Sequence, residues 1–285
     1  SADFVVFVGG LNKSEFQDSE GADRKSLSLP YNQDLLISSL AKANKNLAVV
    51  LITGNAVSMP WVKEVPSILQ TWYLGSEAGN ALASVLAGDA NPSGKLPFSF
   101  PVKLEDNGAH KLGEFPGNKE EIAAGKGKDK NNPINIKYNE GIFVGYRWHD
   151  TKNIKPLFSF GHGLSYTTFE FGKVKADKTK ISKDDKITFT VSVKNTGNRE
   201  GAEVVQLYIS DLKSSLPRPT KELKGFEKVN LKPGETKEVS ITVDKSALSF
   251  FDPVKHDWVA EPGDFEALIG NSSSDIKTKL KFSLQ

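Results

Sequence analysis

The hydrophobic pattern changes once along this 285-residue chain, and that change constrains the fold more than any other feature. In the first hundred residues the apolar runs are continuous, as in Phe4–Val8 and Leu47–Ile52. Such runs are typical of parallel strands buried on both faces. From about Gly172 onward, apolar and polar residues alternate, which is typical of strands with one buried face. The sequence therefore predicts an α/β domain followed by an all-β domain.

Two helices and a further strand complete the predicted α/β part. The spacing predicts a helix over Tyr31–Ala43, a strand over Ser67–Trp72 and a helix over Glu77–Leu86. A strand–helix–strand order implies right-handed crossovers and a parallel sheet. A sheet of about three strands buried on both faces would leave an apolar edge open. We therefore expect more sheet to come from outside these residues. The apolar face of the first helix is expected to comprise Leu35, Leu36, Leu40 and Ala43.

The last part of the chain predicts an immunoglobulin-like sandwich. Alternating runs recur, separated by turn residues such as Lys232–Glu235 and Glu261–Asp264. About seven short strands fit such a sandwich, of the kind without a disulfide, since the chain has no cysteine. The predicted organisation is a partial α/β sandwich domain over residues 1–101, a linker and aromatic connector packed on the domains over 102–171, and a β-sandwich over 172–285. The alternating runs are Ile187–Val193, Val205–Ile209, Val239–Val243, Phe265–Ile269 and Leu280–Leu284.

Composition excludes several classes of function. The 37 basic and 35 acidic residues nearly balance, which argues against a nucleic-acid groove or an anionic membrane surface as partner. No apolar run approaches the length of a membrane span. The four histidines show no ligand spacing, so no metal site is expected. Gly88–Leu96 fails as a phosphate loop because it has one residue too many between its glycines.

The candidate chemistry lies in an acidic loop after the first strand. Glu15, Asp18, Glu20 and Asp23 crowd together there, with Arg24 beside them. One interpretation is a solvated polar loop, in which Asp23 and Arg24 form a structural ion pair. The other is that one carboxyl is a general acid/base. Glu20 is the better candidate than Asp18, because Gly21 beside it would let the backbone and a sugar ring approach closely.

Several stretches with specific residue patterns follow one another along the chain. They are Ser19–Arg24 with Leu27–Pro30, Gly54–Trp61, Trp72–Gly79, Gly88–Pro97, Glu140–Arg147, Phe158–Tyr166 and Lys221–Lys228. In this order the stretches resemble the motifs of the family 3 glycoside hydrolases, the β-glucosidase group. The resemblance covers nearly the whole chain, and the motifs are more specific together than singly.

The four tryptophans are also candidates for stacking on sugar rings. Core or interdomain packing is the commoner role of tryptophan, and we favour it for Trp72.

The resemblance implies a retaining exo-acting β-glucosidase that removes terminal β-D-glucosyl residues from an oligosaccharide or aryl glucoside. It implies an N-terminal (β/α)8 barrel that carries the nucleophilic aspartate, an α/β sandwich and a fibronectin type III-like domain. Glu20 then matches the acid/base, and Asp23 and Arg24 match residues that support the loop or bind substrate. No cofactor is implied, and a secreted or periplasmic location is expected. Without the barrel, this chain alone is expected to be inactive. The alternative is a non-catalytic carbohydrate-binding or protein-interaction module.

Overall fold

The computed structural model describes residues 2–20, 23–127 and 131–285, which form two compact units. The first unit comprises Ser1–Ala90 and Phe100–Asp106. The second comprises Asn91–Ser99 and Asn107–Gln285. The first is an α/β unit and the second is dominated by antiparallel strands, so the predicted fold class is confirmed.

The first unit contains a three-stranded parallel sheet in the order β1-β2-β3, counted over the described residues. Val5 pairs with Leu47, and Ala48 pairs with Ser67. Both pairs are parallel, so the chain crosses over the sheet between consecutive strands. The elements are β1 (Val5–Gly10), α1 (Gln33–Ala43), β2 (Leu47–Ile52), β3 (Ser67–Gln70), α2 (Ala78–Ala87) and a 3-10 helix at Leu104–Asp106.

The central strand β2 is the core of this unit. Leu47–Leu51 are all buried, and Val49, Val50 and Leu51 have no exposed surface. The neighbouring strand β1 behaves differently, because Val6 and Val8 on one of its faces are 42% and 51% exposed. Continuous apolar sequence thus produces a strand covered on both sides in β2, and a strand covered on one side in β1.

The buried face of α1 differs from the predicted one. Leu35 and Leu36 are 68% and 50% exposed, whereas Ile37 and Ala41 are the buried residues of the helix. The buried face is therefore rotated by one residue, about 100° around the helix axis. The sequence prediction followed the more numerous leucines, and that choice was wrong.

A polar contact explains the orientation of α1. Asp34 lies three residues before Ile37, on the same side of the helix. Its carboxylate accepts the indole N–H of Trp61 at 2.7 Å and the backbone N–H of Leu29 at 3.2 Å. Trp61 is fully buried, so its N–H needs an acceptor and Asp34 supplies it. This bond holds the Ile37 side of the helix inward and leaves Leu35 and Leu36 exposed.

The second unit is built on two antiparallel sheets. One sheet has the order β10-β7-β4, with β5 paired to β7, and the other has the order β6-β14-β13-β8-β9, in which the β14–β6 pair is parallel. β11 and β12 form a separate hairpin. The strands are β4 (Phe169–Phe171), β5 (Lys175–Ala176), β6 (Lys180–Ile181), β7 (Ile187–Asn195), β8 (Gly201–Asp211), β9 (Glu222–Leu231), β10 (Thr236–Val243), β11 (Phe250–Asp252), β12 (Asp257–Val259), β13 (Gly263–Gly270) and β14 (Ile276–Leu284).

The predicted alternation forms the core between these two sheets. Each run contributes the side chains on its inward face, which pack as one cluster. Phe189 on β7 meets Phe282 on β14 edge to face at 5.3 Å, and Phe282 stacks on Phe265 at 5.6 Å. All three phenylalanines are buried. The apolar residues of each strand therefore face the other sheet, as their spacing predicts.

The segment between the two sequence patterns is more structured than a loop. In the described residues it contains the 3-10 helix at Leu104–Asp106 and three short α-helices. Within the second unit, Tyr146 stacks on Phe160 at 4.8 Å and meets Tyr208 of β8 edge to face at 5.9 Å. These aromatic contacts cover the outer face of β8 and explain why Tyr208 is buried there. In the second unit the helices are α3 (Gly108–Lys111), α4 (Lys119–Ala123) and α5 (Tyr146–Thr151), with α6 (Lys245–Leu248) later in the chain.

Phe189→Ala is expected to destabilise the second unit by about 3–5 kcal/mol, because it removes a fully buried ring and leaves a cavity. Phe226→Ala is the matched control, since Phe226 on β9 is 63% exposed. That control should change the free energy of unfolding by about 0.5 kcal/mol or less. Urea unfolding monitored by fluorescence and circular dichroism measures both. Equal effects of the two substitutions would contradict the described core.

Candidate active site

The segment after β1 is held at the carboxyl edge of the sheet. Leu11 continues the pairing of the strand, because its N–H donates to the carbonyl of Ile52 at 2.9 Å. The chain then turns back on itself, and the N–H of Asp18 donates to the carbonyl of Asn12 at 3.0 Å. Open α/β sheets build their ligand sites at this edge. The acidic loop therefore lies where the fold class places function.

The side chain of Asp18 connects this segment to the other two strands. Its Oδ2 accepts the backbone N–H of Gly54, just beyond β2, at 2.6 Å. The same oxygen accepts the hydroxyl of Tyr73, just beyond β3, at 2.7 Å. One carboxylate oxygen thus joins the segments that follow all three strands of the sheet. Hydrogen bonds to an ionised acceptor are among the stronger ones in proteins.

Arg24 fixes the chain on the other side of the acidic loop. Its Nη1 donates to the carbonyl of Ala56 at 2.8 Å. Its Nη2 is buried and has no hydrogen-bond partner. Desolvation lowers the pKa of Arg24, and the negative charge of Asp18 acts in the opposite direction. The guanidinium therefore contacts the loop after β2, so the ion pair with Asp23 considered from the sequence is not the contact that anchors it.

Glu20 and Asp23 are both exposed. Glu20 lies in a turn two residues after Asp18 and four residues before Arg24, so it stands on a short loop held at both ends. Gly21, whose close approach to a sugar ring was expected from the sequence, lies outside the described residues. The structure thus ties Asp18 and Arg24 to the segment that follows β2 and leaves the side chain of Glu20 exposed.

Tyr73 has a perturbed hydroxyl. Desolvation and the hydrogen bond and charge of Asp18 raise its pKa to about 12. Because folding raises this pKa, the contribution of the bond to stability is complete below a pH of about 10 and is lost as the pH rises through about 12. The Tyr73–Asp18 bond is therefore intact throughout the neutral range.

Two open depressions in the described part of the chain, of about 540 and 410 Å³, are lined by residues of the second unit. Neither is lined by Glu20, Asp23 or Arg24. Groups of three metal-ligating side chains are absent from the described residues. None of the helices in the described residues is long and apolar enough to cross a membrane.

Sequence reasoning missed the role of Asp18 and Tyr73. Asp18 entered only as a weaker candidate for the acid/base, and Tyr73 only as part of a family motif. The signal that links them is topological: in a parallel sheet the residues after each strand meet at one edge. Tyr73 is 55 residues from Asp18, so only the strand order β1-β2-β3 brings them together.

The fold and this site define a protein with a parallel α/β unit and a fibronectin type III-like sandwich. Residues 203–273 match the fibronectin type III-like domain. Residues 1–146 match the C-terminal domain of glycosyl hydrolase family 3. The chain therefore belongs to glycosyl hydrolase family 3, as the motifs indicated.

Relatives and solved structures agree with this membership. Beta-glucosidase BoGH3A of Bacteroides ovatus is 54% identical over 284 residues, which cover 99% of this chain and 36% of that protein. Thermostable beta-glucosidase B of Acetivibrio thermocellus is 47% identical, over 98% of this chain and 35% of its own length. The crystal structure of a beta-glucosidase from Bifidobacterium adolescentis matches with a TM-score of 0.88 at 36% identity, covering all of this chain and 39% of its own. The chain thus spans about a third of the length of the relatives it matches.

We expect Asp18→Ala to lower the pKa of Tyr73 from about 12 toward its ordinary value of about 10, without reaching it, because desolvation remains. A pH titration of isotope-labelled tyrosine ring carbons by NMR measures this shift, and Tyr73→Phe assigns the resonance. Glu15→Ala is the matched control, since Glu15 is an exposed carboxylate of the same segment. An unchanged pKa of Tyr73 in Asp18→Ala would rule out the described bond.

Proposed function

We propose that this chain is part of a longer retaining β-glucosidase, to which it supplies Glu20 as the general acid/base. The observation that carries the proposal is the position of Glu20, exposed on a loop fixed at both ends at the carboxyl edge of a parallel sheet. An exposed carboxyl on a held loop is suited to act on a group that approaches from outside. The substrate would be a β-linked oligosaccharide or an aryl glucoside, in keeping with relatives named β-glucosidases.

The reaction needs two carboxyl groups about 5 Å apart. In the first step an aspartate attacks the anomeric carbon, and Glu20 gives its proton to the glycosidic oxygen as the bond to the leaving group breaks. In the second step Glu20 takes a proton from water, which attacks the glycosyl-enzyme and releases the sugar. The nucleophilic aspartate would belong to an N-terminal (β/α)8 barrel in the part of the protein that this chain does not span.

The isolated chain is proposed to be inactive. A general acid alone contributes about 10²–10⁴-fold to a rate, and this holds only when substrate is positioned against it. Glu20 is exposed, and neither of the depressions described above is lined by it. The missing part would therefore supply the nucleophile, the walls of the pocket and the contacts to the sugar. Arg24 would support the loop, and Asp23 would lie at its exposed rim.

Exposed apolar side chains of the first unit support the proposal that another part of the protein covers this unit. Val6 and Val8 on β1 and Leu35 and Leu36 on α1 are between 42% and 68% exposed. Val6 and Val8 lie on one face of β1, and an exposed apolar face is typical of a surface that binds another protein surface. We propose that the remaining part of the protein covers them and extends the sheet beyond β1. The predicted domain boundaries and the secreted or periplasmic location stay predictions.

A non-catalytic binding module is the second candidate. Trp258 is 63% exposed, whereas tryptophan most often packs in a core. Its ring meets that of the exposed Phe251 edge to face, with the centroids 5.9 Å apart. Trp61 and Trp148 are buried and act in packing. A pair of exposed rings favours a binding surface on the hairpin β11–β12. A binding surface on this hairpin does not require the hydrogen bonds that anchor Asp18 and Arg24 on either side of Glu20. The catalytic proposal accounts for those hydrogen bonds, and we therefore prefer it.

In the longer protein that contains this chain, Glu20→Ala should reduce kcat/KM for phenyl β-glucoside about 10²–10⁴-fold, because that leaving group needs protonation. For 2,4-dinitrophenyl β-glucoside, whose leaving group departs without a proton, kcat/KM should change little. Azide should raise kcat of the variant on the activated substrate by replacing base-activated water and forming β-glucosyl azide. Steady-state kinetics and product analysis measure these effects.

Glu15→Ala is the matched control for that experiment, since it removes an exposed carboxyl five residues earlier. It should leave kcat/KM for both glucosides unchanged. If Glu20→Ala slowed both substrates equally, or neither, Glu20 would not be the acid/base. The non-catalytic module would then be the better description of the first unit.

Val8→Asp should leave the stability of the 285-residue chain nearly unchanged, because the side chain is already 51% exposed. In the longer protein the same change should lower the melting temperature and the activity, since it would bury a carboxylate without a partner. Val254→Asp, at a valine that is 87% exposed, is the control and should have no effect in either protein. Calorimetry of both proteins tests the proposal. Equal tolerance of Val8→Asp in both would show that nothing covers β1.

A further inference from the structure

The segment that carries Glu20 is anchored at two residues, and Glu20 itself is exposed. Asp18 is held by the N–H of Gly54 and the hydroxyl of Tyr73. Arg24 is held through the carbonyl of Ala56. Glu20 lies two residues after Asp18 and four residues before Arg24. The hydrogen bonds of Asp18 therefore restrain the backbone directly before Glu20.

Asp18 and Arg24 anchor the segment through different numbers of hydrogen bonds. Arg24 makes one bond, to a backbone carbonyl, and leaves Nη2 without a hydrogen-bond partner. Asp18 places two donors on a single oxygen, and those donors come from segments after two different strands. Asp18 is also the residue nearer to Glu20 in sequence. It is thus the group that most directly transfers the rigidity of the sheet to Glu20.

Gly54 makes this anchor compact. A Cβ atom at residue 54 would lie 2.8 Å from the ring of Tyr73 and 3.1 Å from Oδ2 of Asp18. Both distances are shorter than ordinary van der Waals contact, so the close approach of the three groups requires glycine. The carboxylate, the ring and the backbone N–H are therefore packed against one another without spare room.

Tyr73 contributes to this anchor more than to the core. It is 52% exposed, so its ring contributes little to the buried apolar area of the first unit. Its hydroxyl nevertheless donates to Asp18 at 2.7 Å. A long side chain that is half in solvent loses conformational freedom when it is held in one place. The hydrogen bond from Tyr73 to Asp18 therefore restrains the segment before Glu20 more than it stabilises the sheet.

We propose that Asp18, with Tyr73 as its donor, is a positioning residue that holds Glu20 in the geometry needed for proton transfer. This inference rests on the proposed function, in which Glu20 is the acid/base. Asp18 does not itself transfer the proton in this scheme, because its Oδ2 accepts two hydrogen bonds and Glu20 is the more exposed of the two carboxyl groups. Proton transfer requires the acid within hydrogen-bond distance of the leaving oxygen. A displacement of Glu20 therefore slows protonation of the leaving group, which is the step that kcat/KM for a poor leaving group reports.

The test uses the longer protein with the variants Asp18→Ala, Tyr73→Phe and Glu20→Ala. Asp18→Ala should lower kcat/KM for phenyl β-glucoside about 10–100-fold, the loss expected from misplacing a catalytic group by about 1 Å. It should leave kcat/KM for 2,4-dinitrophenyl β-glucoside nearly unchanged. Tyr73→Phe, which removes only the hydroxyl that donates to Asp18, should show the same selective loss at smaller size. Glu15→Ala is again the control without effect.

Two further measurements separate positioning from other roles. In the Glu20→Ala background, Asp18→Ala should cause no additional loss on phenyl β-glucoside, because the group that it positions is gone. Azide should not rescue Asp18→Ala, because the carboxylate of Glu20 remains and repels the anion. Equal losses on both substrates, or additive losses in the double variant, would overturn the role of Asp18.

These outcomes are distinct from failure of the proposed function. If Glu20→Ala shows no preference between leaving groups and no azide rescue, the acid/base assignment fails first. If Glu20→Ala behaves as an acid/base variant but Asp18→Ala acts equally on both substrates, only the positioning role fails. Should Asp18→Ala unfold the protein, Tyr73→Phe carries the same test, since it leaves the packing of its ring in place.

Discussion

The burial of β2 on both faces is the constraint on which the first unit depends. Leu47–Leu51 have almost no contact with solvent, and β2 lies between β1 and β3 in the sheet. Parallel pairing with β1 and β3 then aligns the carboxyl ends of the three strands. Asp18, Gly54 and Tyr73 meet because each follows one of these strands. The geometry of the candidate site is thus a consequence of how one apolar strand is buried.

The first unit exposes both apolar and charged side chains. Val6 and Val8 are apolar and exposed on β1, where their transfer out of water would be favourable by roughly 25 cal/mol per Å² of apolar area. Glu20 is charged and exposed, and its loop is nevertheless held by the Asp18 and Arg24 contacts. The first observation points to a covering surface, and the second points to a reacting partner. Both are met by the proposed longer protein, since one added segment could cover β1 and close over Glu20.

The parts that were predicted correctly from sequence are those that local pattern controls. The alternation in β7, β8 and β13 follows from a period of two, and each inward residue there is buried. The strands β1 and β2 follow from continuous apolar runs. The helix α1 was located correctly, but its buried face was not, because Asp34 meets the indole N–H of Trp61 and rotates the helix. That contact joins residues 27 positions apart, and no local pattern reports it.

The sequence was sufficient to predict the fold class, the family and the candidate Glu20, because strand periodicity and family motifs lie in consecutive residues. It left Asp18 as one acid among four. The three-dimensional structure was needed to show that Asp18 accepts the N–H of Gly54 and the hydroxyl of Tyr73, and that Arg24 donates to the carbonyl of Ala56. The physical reason is that a hydrogen bond depends on distances of about 3 Å. Between residues so far apart in the chain, such distances are set by the order and register of the strands.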